Sequence, residues 1–295
     1  MPSPYGQEPD PVEVAVVILS RGDRTKELAR CLDSVFAQQY VATEVLVVGN
    51  GWTPAGLDPR ARTHAVGTNV GAPAGRNLGA ELVDADLVLF LDDDAWLPEP
   101  NTLRAAVDRF VQRPRLGAVQ LRVIGDDGRT MRRWVPRAHV GDPVRSGPAF
   151  ALAEGVTIVR RRAFEEVGQW GGEFFYGHEG VDLAWKLWDA GWIVHYDGGL
   201  YARHPTAVDD RPDLLWYSAR NRVWVARRNL PAPLMVLYLL DWMVITHLRL
   251  AREPASLGTW WRGFASGWTT ACGTRRPIRW RTVAHLARLG QPPII

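Results

Sequence analysis

Residues 87–94 read Leu87-Val88-Leu89-Phe90-Leu91-Asp92-Asp93-Asp94, an unbroken apolar run ending in three consecutive carboxylates. A short continuous apolar stretch between Asp86 and Asp92 is the pattern of a strand buried on both faces of a parallel sheet. Acids at its C-terminal end would sit in the crevice where open α/β sheets bind ligands. Adjacent carboxylates repel and raise one another's pKa unless a cation intervenes. Three together therefore call for a divalent metal with oxygen ligands, Mg²⁺ or Mn²⁺. The competing reading, a solvated acidic turn, fits poorly after a fully apolar strand.

Working outward, the same strand–helix alternation recurs. Strands are expected at 12–19, 44–48, 64–66 and 117–123, and helices over 24–38, from 73 to 83 and over 102–112. Asp23 and Asn101 are placed to cap the first and last of these helices. This predicts a mostly parallel, doubly wound α/β sheet. From 125 to 147 the pattern breaks. A strand-like run over 150–159 is interrupted by Glu154 and Gly155, helices are expected at 162–167 and 181–190, and an extended segment at 192–196. After His204 helical patterns dominate, at 214–228 and 234–250.

The chain has 295 residues, enough for one large core or a core with an appendage. Two distant cysteines, Cys31 and Cys272, give no disulfide framework and no zinc site, which fits a reducing compartment. Residues 1–11 lack the basic and apolar regions of a signal peptide. Charge is uneven. Residues 1–210 hold 22 basic and 29 acidic side chains, whereas 211–295 hold 13 arginines, three acids and seven of the 14 tryptophans. An acidic body, 1–210, thus carries a basic, Trp-rich helical extension, 211–295, suited to an anionic partner. The apolar run at 234–250 is interrupted by Asp241, His247 and Arg249. It reads as a core or dimer helix, or as one lying in a membrane interface. Arg220, Arg222, Arg227, Arg228, Arg275, Arg276, Arg279 and Arg281 would then favour an anionic cytoplasmic leaflet.

Two further segments carry chemistry. Gly67, Gly71, Gly75 and Gly79 are spaced four apart: the first two can free a loop backbone to approach a ligand, and the last two allow close helix packing. Arg76 could reach a phosphate from that helix's N-terminal turn. The second segment, residues 174–192, places Glu179 between His178 and Gly180, with Asp182 one turn into a helix. Glu179 reads as an exposed general base, although both acids could simply cap the helix. His204 gains meaning only beside Asp92–Asp94, where a neutral imidazole could complete a metal site.

The order of motifs, Ser20-Arg-Gly-Asp-Arg24, Val47-Val-Gly-Asn-Gly51, Asn69-Val-Gly-Ala-Pro-Ala-Gly-Arg-Asn-Leu-Gly79, Asp92-Asp-Asp94, Gly177-His-Glu-Gly-Val-Asp-Leu183 and His204, resembles the inverting glycosyltransferases of family 2. Within them it is most similar to the rhamnosyl- and galactofuranosyltransferases of bacterial envelope polysaccharides. The resemblance covers roughly 12–205. It implies the GT-A fold, with a nucleotide-sugar half at 12–124 and an acceptor half at 125–210.

The resemblance also implies a hydroxyl acceptor (glycan, glycolipid or small molecule) and a nucleotide-diphosphate sugar donor. It assigns Asp92, Asp94 and His204 to Mn²⁺ or Mg²⁺. Ser20, Arg21, Asn50, Gly71, Arg76, Asp92, Asp93 and His178 are assigned to substrate, and Glu179, with Asp182 second, to catalysis. Two positions depart from the family pattern: Gly49 stands where an Asp is usual, and Gly180 stands where many members place the catalytic acid. The second departure keeps open an alternative, a nucleotide-sugar-binding protein without turnover. No nucleic-acid motif is present. The expected location is cytoplasmic, peripheral on the inner face of the membrane.

Overall fold

The computed structural model describes residues 14–137, 140–206 and 213–293, so the reading of residues 1–11 lies outside it. The chain order is β1 (Val14–Ser20), α1 (Thr25–Phe36), β2 (Thr43–Asn50), β3 (Arg62–Val66), α2 (Ala72–Glu81), β4 (Leu87–Asp92), α3 (Thr102–Gln112) and β5 (Leu116–Ile124). Then come β6 (Gly147–Pro148), β7 (Val156–Arg160), α4 (Arg161–Glu166), α5 (Glu179–Ala190) and β8 (Ile193–Arg203). Four helices follow: α6 (Asp213–Asn229), α7 (Ala232–Arg249), α8 (Pro254–Thr269) and α9 (Trp280–Arg288). The strands form one eight-stranded sheet in the order β3-β2-β1-β4-β7-β5-β8-β6. β1, β2, β3 and β4 are mutually parallel, as are β5 and β8, while β7 runs antiparallel between β4 and β5.

Strand alternation divides the core into two layers. Leu87, Leu89 and Leu91 of β4 join Val14, Val16 and Ile18 of β1 against α1 and α3. Val88 and Phe90 join Ala15 and Val17 against α2, α4 and α5. β4 is therefore buried on both faces, as its unbroken apolar run requires. Gly75 and Gly79 of α2 lie so close to Leu19 and Val17 of β1 that a Cβ would overlap them. The helix seats on the sheet because those two positions carry no side chain.

The caps differ from expectation. Arg24, not Asp23, occupies the N-cap of α1, and neither it nor Asn101 makes a side-chain capping bond. The segment expected to stop near 196 runs on to Arg203. Asp197 Oδ1 accepts from the backbone of Gly199 and Leu200, and the register shift opposite Leu121 and Arg122 absorbs the extra residues as a bulge.

The C-terminal helices share the core of the sheet. Val223, Trp224, Tyr238, Ile278 and Leu286 lie in the same apolar cluster as Trp185 and Leu187 of α5. α8 packs tightly on α6, where Gly263 and Gly267 leave room for Trp216 and Val223. α7 is long and apolar enough by length and composition to cross a membrane, yet only 17% of it is buried.

Candidate active site

β4 delivers Asp92 to the C-terminal edge of the sheet, and alternation points its side chain to the α2/α5 face. Its backbone N–H donates to Gly155 O at 2.9 Å, which lays the start of β7 across the end of β4. Gly155 must be glycine, because the Asp92 carboxylate occupies the space of a Cβ there. On the other side Trp96 and Arg203 exchange backbone hydrogen bonds, docking the end of β8 against the acidic turn. That pairing brings in His204, whose Nε2 lies 3.1 Å from Asp94 Oδ1 and 3.8 Å from Asp92 Oδ2. Trp134 packs edge-on against the imidazole, with ring centroids 4.6 Å apart.

Asp92, Asp94 and His204 place their ligand atoms within 4.8 Å of one another. Asp94 Oδ1 is buried with no hydrogen bond beyond that approach to His204. Two carboxylate oxygens and an imidazole nitrogen suit Mn²⁺ or Mg²⁺, with Mn²⁺ the better match to the nitrogen.

Arginines flank the acidic cluster. Arg24 donates to Asp94 at 2.5 Å and to Asp93 at 3.4 Å. Burial disfavours the charged Asp92 carboxylate, but Arg76 and then His204 outweigh it and hold the group well below the usual range. Asp93 behaves oppositely: burial and the neighbouring carboxylates, opposed by a Ser20 hydrogen bond and Arg24, push it up to about 6. Burial also works against the His204 imidazolium, yet hydrogen bonds to Asp92 and Asp94 raise it to about 10.

Two connected cavities open on this cluster. A cleft of about 820 Å³ is lined by Ser20, Arg21, Asn50, Gly71, Arg76, Asp92, Asp93, Asp94 and His204. A pocket of about 310 Å³ is lined by Gln120, Phe150, Glu154, Tyr176 and Glu179. The two share Arg76, Asp92, Arg133, Trp134 and His204 as a common wall. Most of the sequence-derived residues therefore converge.

Several of those residues differ in detail from expectation. Asn50 clasps its own loop: its amide donates to Asn69 Oδ1 at 2.9 Å, and its carbonyl accepts from Val70 at 2.8 Å. Gly49 has no room for the side chain usual at its position, since a Cβ would overlap Trp52 O and Pro54. Gly71 has φ +88° and lies against Phe175. Arg76 is buried, with one amino nitrogen 2.7 Å from Asp92 and the other 3.7 Å from Glu179.

The acids of α5 need correcting. Glu179 is only 2% exposed, not the open base its glycine neighbours suggested. Burial and the charge of Glu154, opposed by Arg76, raise its carboxyl to about 8. Asp182 is fully buried behind the site, bonded to Asn229 at 2.7 Å and paired with Lys186 at 3.0 Å and Arg228 at 3.1 Å. It lines neither cavity. His178 is also outside both: it takes the left-handed N-cap of α5, and its Nε2 lies 3.4 Å from Ser218 Oγ. Desolvation, then the nearby Arg222, pushes its pKa well below 6.5 and keeps it neutral. Residues not singled out from sequence include Trp134 and Arg133, which lie in the irregular 125–147 region, and Glu154, which registered only as a break in an apolar run.

The profile described as Glycosyl transferase family 2 matches residues 15–168. The chain belongs to this family. As a family 2 glycosyltransferase it is 25% identical over 254 residues to the O-antigen biosynthesis protein RfbC of Myxococcus xanthus. That alignment covers 73% of this chain but only 20% of the relative, so the chain spans about a fifth of that protein's length. Among solved structures, it resembles GalNAc-T7 with UDP, GalNAc and Mn²⁺, with TM-score 0.64 and 14% identity, over 97% of this chain and 59% of that one. It also resembles the mannosyltransferase PcManGT of Pyrobaculum calidifontis in complex with GDP-Man and Mn²⁺, with TM-score 0.57 and 18% identity, over 97% and 82%. These likenesses fix the GT-A fold.

Proposed function

We propose that this protein is a metal-dependent, inverting glycosyltransferase moving a sugar from a nucleotide-diphosphate sugar to a hydroxyl acceptor. The observation that carries the reading is the meeting of Asp92, Asp94 and His204 on the wall shared by a large cleft and a smaller, carboxylate-lined pocket. Relatives of the same fold hold UDP or GDP-Man with Mn²⁺, which supports the donor class and the metal. Asp92, Asp94 and His204 would hold Mn²⁺ or Mg²⁺, which when bound neutralises charge on the diphosphate leaving group.

The chain's own residues do the rest. The cleft around Ser20, Arg21, Asn69 and Gly71 receives the nucleotide, and Arg24 keeps Asp93 and Asp94 in place. Arg76 fixes the Asp92 carboxylate, and the 310 Å³ pocket admits the acceptor and excludes bulk water. A carboxylate in that pocket takes the hydroxyl proton as the oxygen attacks the anomeric carbon from the face opposite the leaving group, which inverts configuration. The O-antigen relative supports an envelope polysaccharide or glycolipid acceptor.

The same reading puts the protein at the cytoplasmic face of the membrane. Val236, Leu237, Leu240, Val244 and Leu248 form an exposed apolar stripe on α7, and Trp261 and Trp268 are exposed on α8. Arg249 and Arg252 are exposed at the turn between α7 and α8, and Arg262 is exposed midway along α8. The arginine set expected from sequence is largely engaged elsewhere. Arg220 bonds Phe174 O, Arg222 stacks on Trp242, and Arg227 binds Gly267 O. Arg228 pairs with Asp182, Arg275 holds Leu230 O, and Arg279 binds Asp189.

The test is a screen of UDP-, GDP- and dTDP-sugars with Mn²⁺ for a rise in melting temperature and for nucleoside diphosphate release. A true donor stabilises by mass action, and Asp94→Ala removes the effect. No shift and no release with any donor would sink the reading.

A further inference from the structure

We propose that Glu154, in the turn before β7, is the catalytic base that deprotonates the acceptor; the inference rests on the glycosyl-transfer reading above and names the group that completes it. Three carboxylates surround the N-terminal turn of α5, and their surroundings separate them. Asp182 has both oxygens directed to Asn229, Arg228 and Lys186, away from either cavity. Glu179 is 2% exposed and faces Arg76. Glu154 is half-buried and lines the 310 Å³ pocket.

The geometry anchors Glu154 on the first turn of α5 while its side chain lines the pocket. Its Oε1 accepts from the backbone N–H of Gly180 at 2.7 Å, inside the first turn of a 12-residue helix whose N-terminal dipole favours a carboxylate. Gly180 has no space for a side chain, because a Cβ would overlap Leu152 O and crowd Glu154 Oε1. The acid absent from α5 at this position is thus replaced by one reaching in from the turn before β7. The supporting segment is braced as well. Gln120 Oε1 accepts from Ala153 N at 2.7 Å, and its Nε2 donates to Trp134 O at 2.7 Å. Gly155, next in chain, holds the backbone of Asp92. Glu154 is therefore tied to the wall on which the metal ligands sit, on the pocket side.

In the step this assigns, the acceptor oxygen bonds the anomeric carbon while its O–H proton passes to the carboxylate of Glu154. The anomeric C–O bond to the diphosphate breaks, and its electron pair leaves with the nucleoside diphosphate. Glu179 acts through Arg76 as a positioning residue.

The test compares Glu154→Gln, Glu154→Ala and Glu179→Gln with the wild type, using whichever UDP-, GDP- or dTDP-sugar stabilises the wild type with Mn²⁺. Glu154→Gln keeps an oxygen for the Gly180 N–H, so it should fold and show the same donor-induced melting shift. Its turnover should fall by roughly 10²–10⁴-fold, the usual share of a general base. Added formate should restore part of the turnover of Glu154→Ala, a response that a structural role would not give. Glu179→Gln should lose less turnover than Glu154→Gln, and added formate should not restore what it loses. Near-normal turnover by Glu154→Gln, or loss confined to Glu179→Gln, overturns the assignment while leaving glycosyl transfer intact. A wild type that neither binds nor turns over any donor overturns the functional reading, and this assignment with it.

Discussion

The guanidinium of Arg76 is hydrogen-bonded to the Asp92 carboxylate at 2.7 Å, and both groups sit on the wall between the two cavities. Its second amino nitrogen faces Glu179 at 3.7 Å, so one buried cation serves acids from β4 and α5. Removing it would take the strongest cation from Asp92, leaving only His204, and would leave the buried Glu179 without the cation it faces. Breaking a buried pair in this way costs about 3–5 kcal/mol. Arg76→Ala should therefore lower the urea midpoint markedly at pH 7.5, with an unchanged m-value. A loss below about 1 kcal/mol, the range of surface pairs, would show that water enters and relieves the charges.

The 3.1 Å approach of His204 to Asp94 links metal binding to pH. Its folded pKa is about 10, above the ordinary 6.5, so the metal-free pairing contributes stability fully present below pH 6.5 and lost as pH rises through about 10. A metal requires the neutral imidazole and must displace that proton. Mn²⁺ affinity should therefore rise with pH across this window, by up to about tenfold per unit. Calorimetry in two buffers of different ionisation enthalpy should detect close to one proton released per Mn²⁺. His204→Ala should weaken binding and flatten the pH dependence. Binding without proton release would argue that His204 stays out of the metal shell.

Glu179 gives a second pH signature of opposite origin. Its carboxyl is raised from 4.5 to about 8 by burial and by Glu154, so the folded state binds the extra proton between those values. Stability conferred by the protonated group is present below pH 4.5 and declines as pH rises through about 8. Glu179→Gln mimics the protonated form. Its melting temperature should fall less than that of the wild type between pH 6 and 9. Parallel curves would mean that the carboxylate ionises in the folded state without penalty.

How legible this was depended on which forces are local. β1, β2, β4 and β5 were readable because their apolar, β-branched runs and the burial they demand are the same fact. The placement of Asp92 and Asp94 at the sheet's edge followed from the end of such a run. Periodicity carries no strand direction, however, so nothing marked β7 as antiparallel, and it is that reversal which brings Glu154 to the edge where β4 ends. A glutamate in an apolar run reads as an interruption until the partner strand is known. Glu179 failed in the other direction: glycine neighbours suggested exposure, but Arg76 of α2 and Glu154 meet it from distant sequence. The helix α8 was not legible because its burial is set by packing on α6, whereas α9 carries its own apolar face through Val283, Leu286 and Leu289.

The exposed stripe on α7 separates two roles for the C-terminal arginines. Arg249 and Arg252 are exposed at the end of the apolar face and Arg262 midway along α8, whereas Arg275 and Arg279 bind carbonyl and carboxylate oxygens of the body. Near an anionic surface each basic side chain contributes about 1 kcal/mol. Neutralising Arg249, Arg252 and Arg262 with glutamine should weaken binding to phosphatidylglycerol vesicles about fivefold per residue, by the same energy scale. Leu240→Ser with Val244→Ser should weaken binding to anionic and neutral vesicles alike, since it removes apolar contact and not charge. Arg275→Gln and Arg279→Gln should instead lower the melting temperature with little effect on vesicle binding. If the leucine and valine substitutions leave vesicle binding intact but abolish a concentration-dependent dimer in sedimentation, the stripe is a subunit interface and the membrane placement fails.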